Sequence, residues 1–134
     1  MKRIRKGSAT LEALICSLIV LFFLMLVVHI YFQVHASLVM NVVCADISHD
    51  VVSCTSLDEA QQIADDTASD RLRKYKDIDK ASLRCDVYYA VGGEQEWKKG
   101  NFLTVELSAP LISPFSATGG YYRKRMTVMI ERNN

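Results

Sequence analysis

The sequence predicts an α+β chain: a long N-terminal transmembrane helix continuing as a stem, a second amphipathic helix, and a small antiparallel sheet of about three strands. Three observations carry this. Residues 13–30 are apolar except for Ser17 and His29, and they follow a short basic head. Apolar residues then recur at helical spacings, and a second helix start follows at Ser56. Beyond Asp79 the apolar period shortens from three or four residues to two. The expected divisions are a basic leader at 1–7, a transmembrane helix at 8–32, a helical stem at 33–55, and an exported α+β domain at 56–134.

The apolar run covers 18 residues, and Tyr31 and Phe32 extend it. Roughly 20 apolar helical residues cross a bilayer core of about 30 Å. The aromatic pair suits the interface at one end. Lys2, Arg3, Arg5 and Lys6 mark the other end as cytoplasmic, which puts the C-terminal domain outside the cell membrane's inner face. The run has no Pro or Gly, so the helix is expected to be continuous. Leu38, Val39, Val42, Val43, Ile47, Val51 and Val52 carry the pattern onward, predicting one helix to about Ser53; a break near 35–37 is the alternative.

Ser56 and Glu59 form the ends of a capping box. Leu57, Ala60, Ala64, Ala68, Leu72 and Tyr75 give the helix after it a small-residue face, and Gln61, Gln62, Asp65, Asp66, Asp70 and Arg73 give it a polar one. Three alternating sets follow: Leu83 to Val91, Leu103 to Ala109, and Met126 to Ile130. Gly92-Gly93 and Gly119-Gly120 mark turns between them. Pro110 and Pro114 bracket an irregular loop or a sheet edge. A sheet with one buried face needs cover, which the small-residue face or the stem supplies.

Composition removes several functions. The chain holds 16 Lys+Arg against 15 Asp+Glu, a net charge of +1, so it lacks the basic footprint of a nucleic-acid binder. It has no Gly-rich phosphate loop, nucleophile elbow or His-centred triad, so neither an enzyme nor a cofactor is expected. His29, His35 and His49 are scattered, and no Cys-x-x-Cys or His-x-His spacing forms a metal site. Asp65-Asp66 and Asp77-x-Asp79 read as solvated faces. Tyr88, Tyr89, Trp97, Tyr121 and Tyr122 read as packing aromatics, with an exposed partner patch as the alternative.

Cys16 lies in the apolar run, leaving Cys44, Cys54 and Cys85 for the exported part. Cys44 and Cys54 on one helix are about 15 Å apart along its axis, too far for a bridge. Cys85 therefore pairs with one of them or none pairs; a Cys54–Cys85 disulfide is favoured over buried free thiols.

Glu12 is the residue that separates readings of the N-terminus. A carboxylate at the edge of an apolar helix needs a charge partner, which neither a signal peptide nor a plain anchor requires. A basic head, Gly7, then Ser8-Ala9-Thr10-Leu11-Glu12 and an apolar helix resembles the class III leader of type IV pilin-like proteins. The small-residue opening, without Phe at Ser8, resembles TadE/TadF-like minor pseudopilins of tight-adherence (Flp) systems, although the early Pro of that group is absent and Ala13 stands where Phe is common. The resemblance implies cleavage between Gly7 and Ser8 by a prepilin peptidase. It also implies pairing of Glu12 with the N-terminal amine of a neighbouring subunit. The partners implied are other pilin or pseudopilin subunits and an inner-membrane assembly platform, with incorporation into a pilus as one destination. Loss of the four basic leader residues would leave 12 basic against 15 acidic residues, a net charge of −3. Two other readings stand beside this one: an unprocessed single-pass module that binds an envelope partner, and a domain secreted after a cut between Ala36 and Ser37.

Overall fold

The structure, a computed structural model, describes residues 4–76, 78, 81–110 and 121–132, with residues 4–8 described by their backbone alone. Lys2, Arg3, Asp77, Asp79 and the bracketed segment between Pro110 and Tyr121 lie outside the described residues. The elements are α1 (Ile4–Val51), α2 (Leu57–Leu72), β1 (Arg84–Tyr89), β2 (Phe102–Pro110) and β3 (Tyr121–Met129). The chain divides into two compact units, Met1–Val34 and His35–Asn134.

In the first unit, α1 is apolar on every side. Leu18, Ile19, Val20, Leu21, Phe22, Phe23 and Leu24 follow one another around the helix, and all are exposed. Consecutive exposed apolar residues leave no polar face for water, so this stretch is long and apolar enough to cross a membrane. The 48 residues of α1 rise about 72 Å with no break at 35–37.

In the second unit the same helix becomes one-sided. Ala36, Val39, Met40, Val43, Cys44, Ile47 and Val51 are buried at spacings of one, three and four, while Leu38 and Val42 are more than half exposed. The seam therefore follows one stripe and not every apolar position. The α2 face of Ala60, Ala64, Ala68 and Leu72 is buried as its spacing requires, since Ala lets a helix backbone approach closely. Cys85 and Val87 of β1 and Leu103, Val105, Leu107 and Ala109 of β2 supply the sheet side of this core.

Ser56 is the N-cap of α2, its side chain accepting from the Glu59 N–H at 3.3 Å. The returning arm of the box shifts by one residue: the Glu59 carboxylate accepts from the Thr55 N–H at 2.8 Å and the Thr55 hydroxyl at 2.7 Å. These bonds hold the Glu59 carboxyl below the usual carboxylate range.

The sheet is antiparallel in the order β1-β2-β3. Its third strand starts five residues earlier than the apolar alternation indicates, because Tyr122 and Lys124 take the inward positions that an alternating hydrophobic run would fill. Conversely β1 stops at Tyr89, and Val91 is fully exposed in the turn beyond it. Gly100, at φ +97°, turns the chain so that its N–H reaches the Ile130 carbonyl at 3.0 Å.

One feature of α2 runs against its polar pattern. Gln61 lies on the polar face, yet its amide binds the free edge of β1. Its Nε2 donates to the Cys85 carbonyl at 2.6 Å, and its Oε1 accepts from the Val87 N–H at 2.8 Å. The primary amide thus repeats the pairing a neighbouring strand would make. Gln61→Ala should lower unfolding free energy by about 1–3 kcal/mol, since two strand groups lose a partner. Gln61→Glu should cost at least as much, because a carboxylate cannot donate to Cys85. Urea titration of the detergent-solubilised chain, followed by Trp97 fluorescence, measures both.

Candidate functional site

Gly7, Ser8 and Glu12 all fall on α1, which begins at Ile4 rather than at Ser8. The Gly7–Ser8 bond lies in the first turns of α1, where glycine lowers helix stability by about 1 kcal/mol relative to alanine. Glu12 lies five residues on from Gly7, about 7.5 Å along the axis. It is exposed among Leu11, Leu14 and Ile15, themselves half or more exposed, and meets no partner among the described residues. A carboxylate in that setting is costly in a bilayer without a cation partner. Arg5 and Lys6 share the first turns of the helix.

Gln33 and His29 bond to each other at 3.0 Å one helical turn apart. Among the described residues no group of three His, Cys, Asp or Glu side chains converges as metal ligands would.

The cysteines are free thiols, and the Cys54–Cys85 bridge is not formed. Cys54 instead donates to the Asp50 carbonyl at 3.7 Å, and Cys44 to the Val105 carbonyl at 4.0 Å. Burial, with the charge of Asp65 adding to it, pushes the Cys85 thiol up to about 12. Burial also raises Cys44 and Cys54. These are packing thiols with very little thiolate at neutral pH.

The outer face of the sheet carries a polar cluster that the alternation of residues did not single out. Glu106, opposite Asp86 on one side and Arg125 on the other, keeps only 13% of its side chain exposed. Its carboxylate accepts from Arg125 Nε at 2.7 Å and from the Tyr88 hydroxyl at 2.9 Å, and lies 2.9 Å from Arg123 Nε. Burial pushes this carboxyl up, but the bonds from Arg125 and Tyr88 and the two guanidinium charges outweigh it, so it titrates below the usual carboxylate range. Tyr88 is accordingly a polar outer-face residue, whereas Tyr89, Trp97 and Tyr122 pack against the core. Register would have revealed the cluster: only the pairing of β2 with β3 puts Arg123 and Arg125 beside one carboxylate.

Two outcomes follow. A depressed carboxyl adds stability that is fully present above its unfolded value, about 4.3, and is lost as pH falls through the lower folded value. The stability gap between wild type and Glu106→Gln should therefore be full at pH 7 and shrink below about pH 4 in denaturation series. A thiol-reactive disulfide reagent at pH 8 should leave Cys44 and Cys85 unmodified in the folded chain and label both in urea, as read by peptide mass mapping.

No protein-family model matches this chain, and no curated protein or solved structure does either, so the functional reading rests on the residues and their geometry.

Proposed function

We propose that the chain is a non-enzymatic, pilin-like assembly subunit, a TadE-like minor pseudopilin acting in pilus biogenesis or secretion. It is inserted with its N-terminus cytoplasmic, cut between Gly7 and Ser8 by a prepilin peptidase, and retained by α1. Lys2, Arg3, Arg5 and Lys6 hold the leader on the cytoplasmic side. Gly7 admits the peptidase because it has no side chain to obstruct the backbone. The observation that supports this most is Glu12: one exposed carboxylate, without a partner among the described residues, at the edge of a helix that is apolar all round. The Ser8 amine created by cleavage on a neighbouring subunit is a cation of the right sign, delivered at the right depth.

The reading in which the domain is released by a cut after Ala36 loses support. Ala36 is 2% exposed in the core of the second unit and lies inside α1. That cut would open a continuous helix and remove a core residue. Retention of α1 is common to the pilin-like reading and to an unprocessed anchor, and the N-terminus distinguishes them.

Intact-mass measurement of membrane-extracted protein should give a chain beginning at Ser8. A chain beginning at Met1 supports the unprocessed anchor, and one beginning at Ser37 the secreted domain. Gly7→Asp should leave the precursor uncut. Glu12→Ala should be cut normally but assemble poorly, and normal assembly by that variant would remove the pairing role.

A further inference from the structure

The two edges of the sheet are unequal. At β1, Gln61 occupies the Cys85 carbonyl and the Val87 N–H. At β3, no described strand pairs with the outer side. The register fixes which groups are left open. Ile130 donates its N–H to the Asn101 carbonyl at 2.8 Å, towards β2. Alternate residues of an antiparallel strand point to opposite neighbours, so Val128, Met126, Lys124 and Tyr122 also bond to β2. The backbone groups of Tyr121, Arg123, Arg125, Thr127 and Met129 therefore face outward along a nine-residue strand.

The side chains along that edge select what can join it. Arg123, Lys124 and Arg125 stand in sequence at its middle, and Glu106 supplies one carboxylate to the two guanidiniums, which stay 56% and 57% exposed. An unprotected edge commonly carries cations merely to repel other edges. That effect acts here against a second copy, since symmetric antiparallel pairing of two β3 strands about their centre sets Arg125 against Arg125. It does not act against a strand with carboxylates. On the inner side, Met126 and Val128 are half-buried and border an open groove of about 440 Å³ shared with Ala45, Val52 and His49. Asp50 and Glu131 also line it, so carboxylates of an added strand are favoured on the Arg123 and Arg125 side and apolar residues on this one. Apolar side chains of an added strand would reach it.

We infer that β3 is a docking edge for β-strand addition by an extended, acidic–apolar alternating segment of a partner protein, with carboxylates beside Arg123 and Arg125 and apolar residues beside Met126 and Val128. This goes beyond the assembly role and does not depend on cleavage after Gly7.

The test uses the full chain in detergent micelles and a fluorescent ten-residue peptide of alternating Glu and Val, with the Lys–Val peptide as control, read by anisotropy. The Glu–Val peptide should bind at least about ten-fold more tightly than the control, and added salt should weaken it. Thr127→Pro removes an outward N–H but no ladder bond, and should weaken binding about ten-fold with an unchanged circular dichroism spectrum. Arg123→Glu leaves the backbone intact and should weaken binding about three- to five-fold or more. Uncut Gly7→Asp protein should bind like wild type, so failure of the processing reading leaves this result standing. Equal binding of both peptides, no binding, or indifference to both Thr127→Pro and Arg123→Glu overturns the proposal. A peptide-free dimer that Thr127→Pro dissolves also overturns it, in favour of a second copy.

Discussion

The stripe from Ala36 to Val51 on α1 is the contact on which the fold of the second unit depends. A three-stranded sheet has too little surface of its own to stand in water, and its inner face needs cover from outside the sheet. α2 covers part of it with alanines. Larger buried side chains come from α1, with Ile47 and Val51 fully buried alongside Leu103, Val105 and Leu107, and from Leu72 at the end of α2. One helix therefore carries two kinds of surface. Up to Val34 its apolar side chains are exposed on all sides, and from Ala36 onward they are sorted onto one stripe. Truncation within that stripe would remove core, not linker.

Much of this was legible in the residues. The 18-residue run specifies a helix long and apolar enough to cross a membrane, and the four-residue spacing of Ala60, Ala64 and Ala68 specifies the packed face of α2. Period-two alternation located β1 and β2 to within a residue or two. What was not legible depends on tertiary pairing. Gln61 has the sequence signature of a solvated helix face, and only the approach of β1 turns it into a strand partner. The start of β3 was hidden because Tyr-Tyr-Arg-Lys-Arg does not alternate in polarity. Leu38 and Val42 are apolar at helical spacing yet exposed, because helical spacing defines more than one stripe and the sheet occupies only one.

The same distinction holds at the candidate site. The reading of Gly7, Ser8 and Glu12 rests on linear spacing along a helix, and the structure places all three on α1. The Glu106 cluster was not legible that way, because it draws on three strands. Its two arginines look like ordinary polar alternation until the register sets them beside one carboxylate. The cysteines show the converse: the spacing favoured a Cys54–Cys85 bridge, while the packing leaves Cys44, Cys54 and Cys85 as separate buried free thiols.

The plug that Gln61 makes at β1 has a consequence for how far association can run. A sheet with two open edges can add copies without limit, each new strand exposing another edge of the same kind. Here Gln61 already occupies two outward backbone groups of β1 from within the chain, whereas no described strand or side chain does the same at β3. Head-to-tail pairing of β3 with the β1 of another copy would have to displace the Gln61 amide from Cys85 and Val87. One helix side chain thus makes the two edges of the same sheet chemically unequal, and association through β1 carries a cost that association through β3 does not.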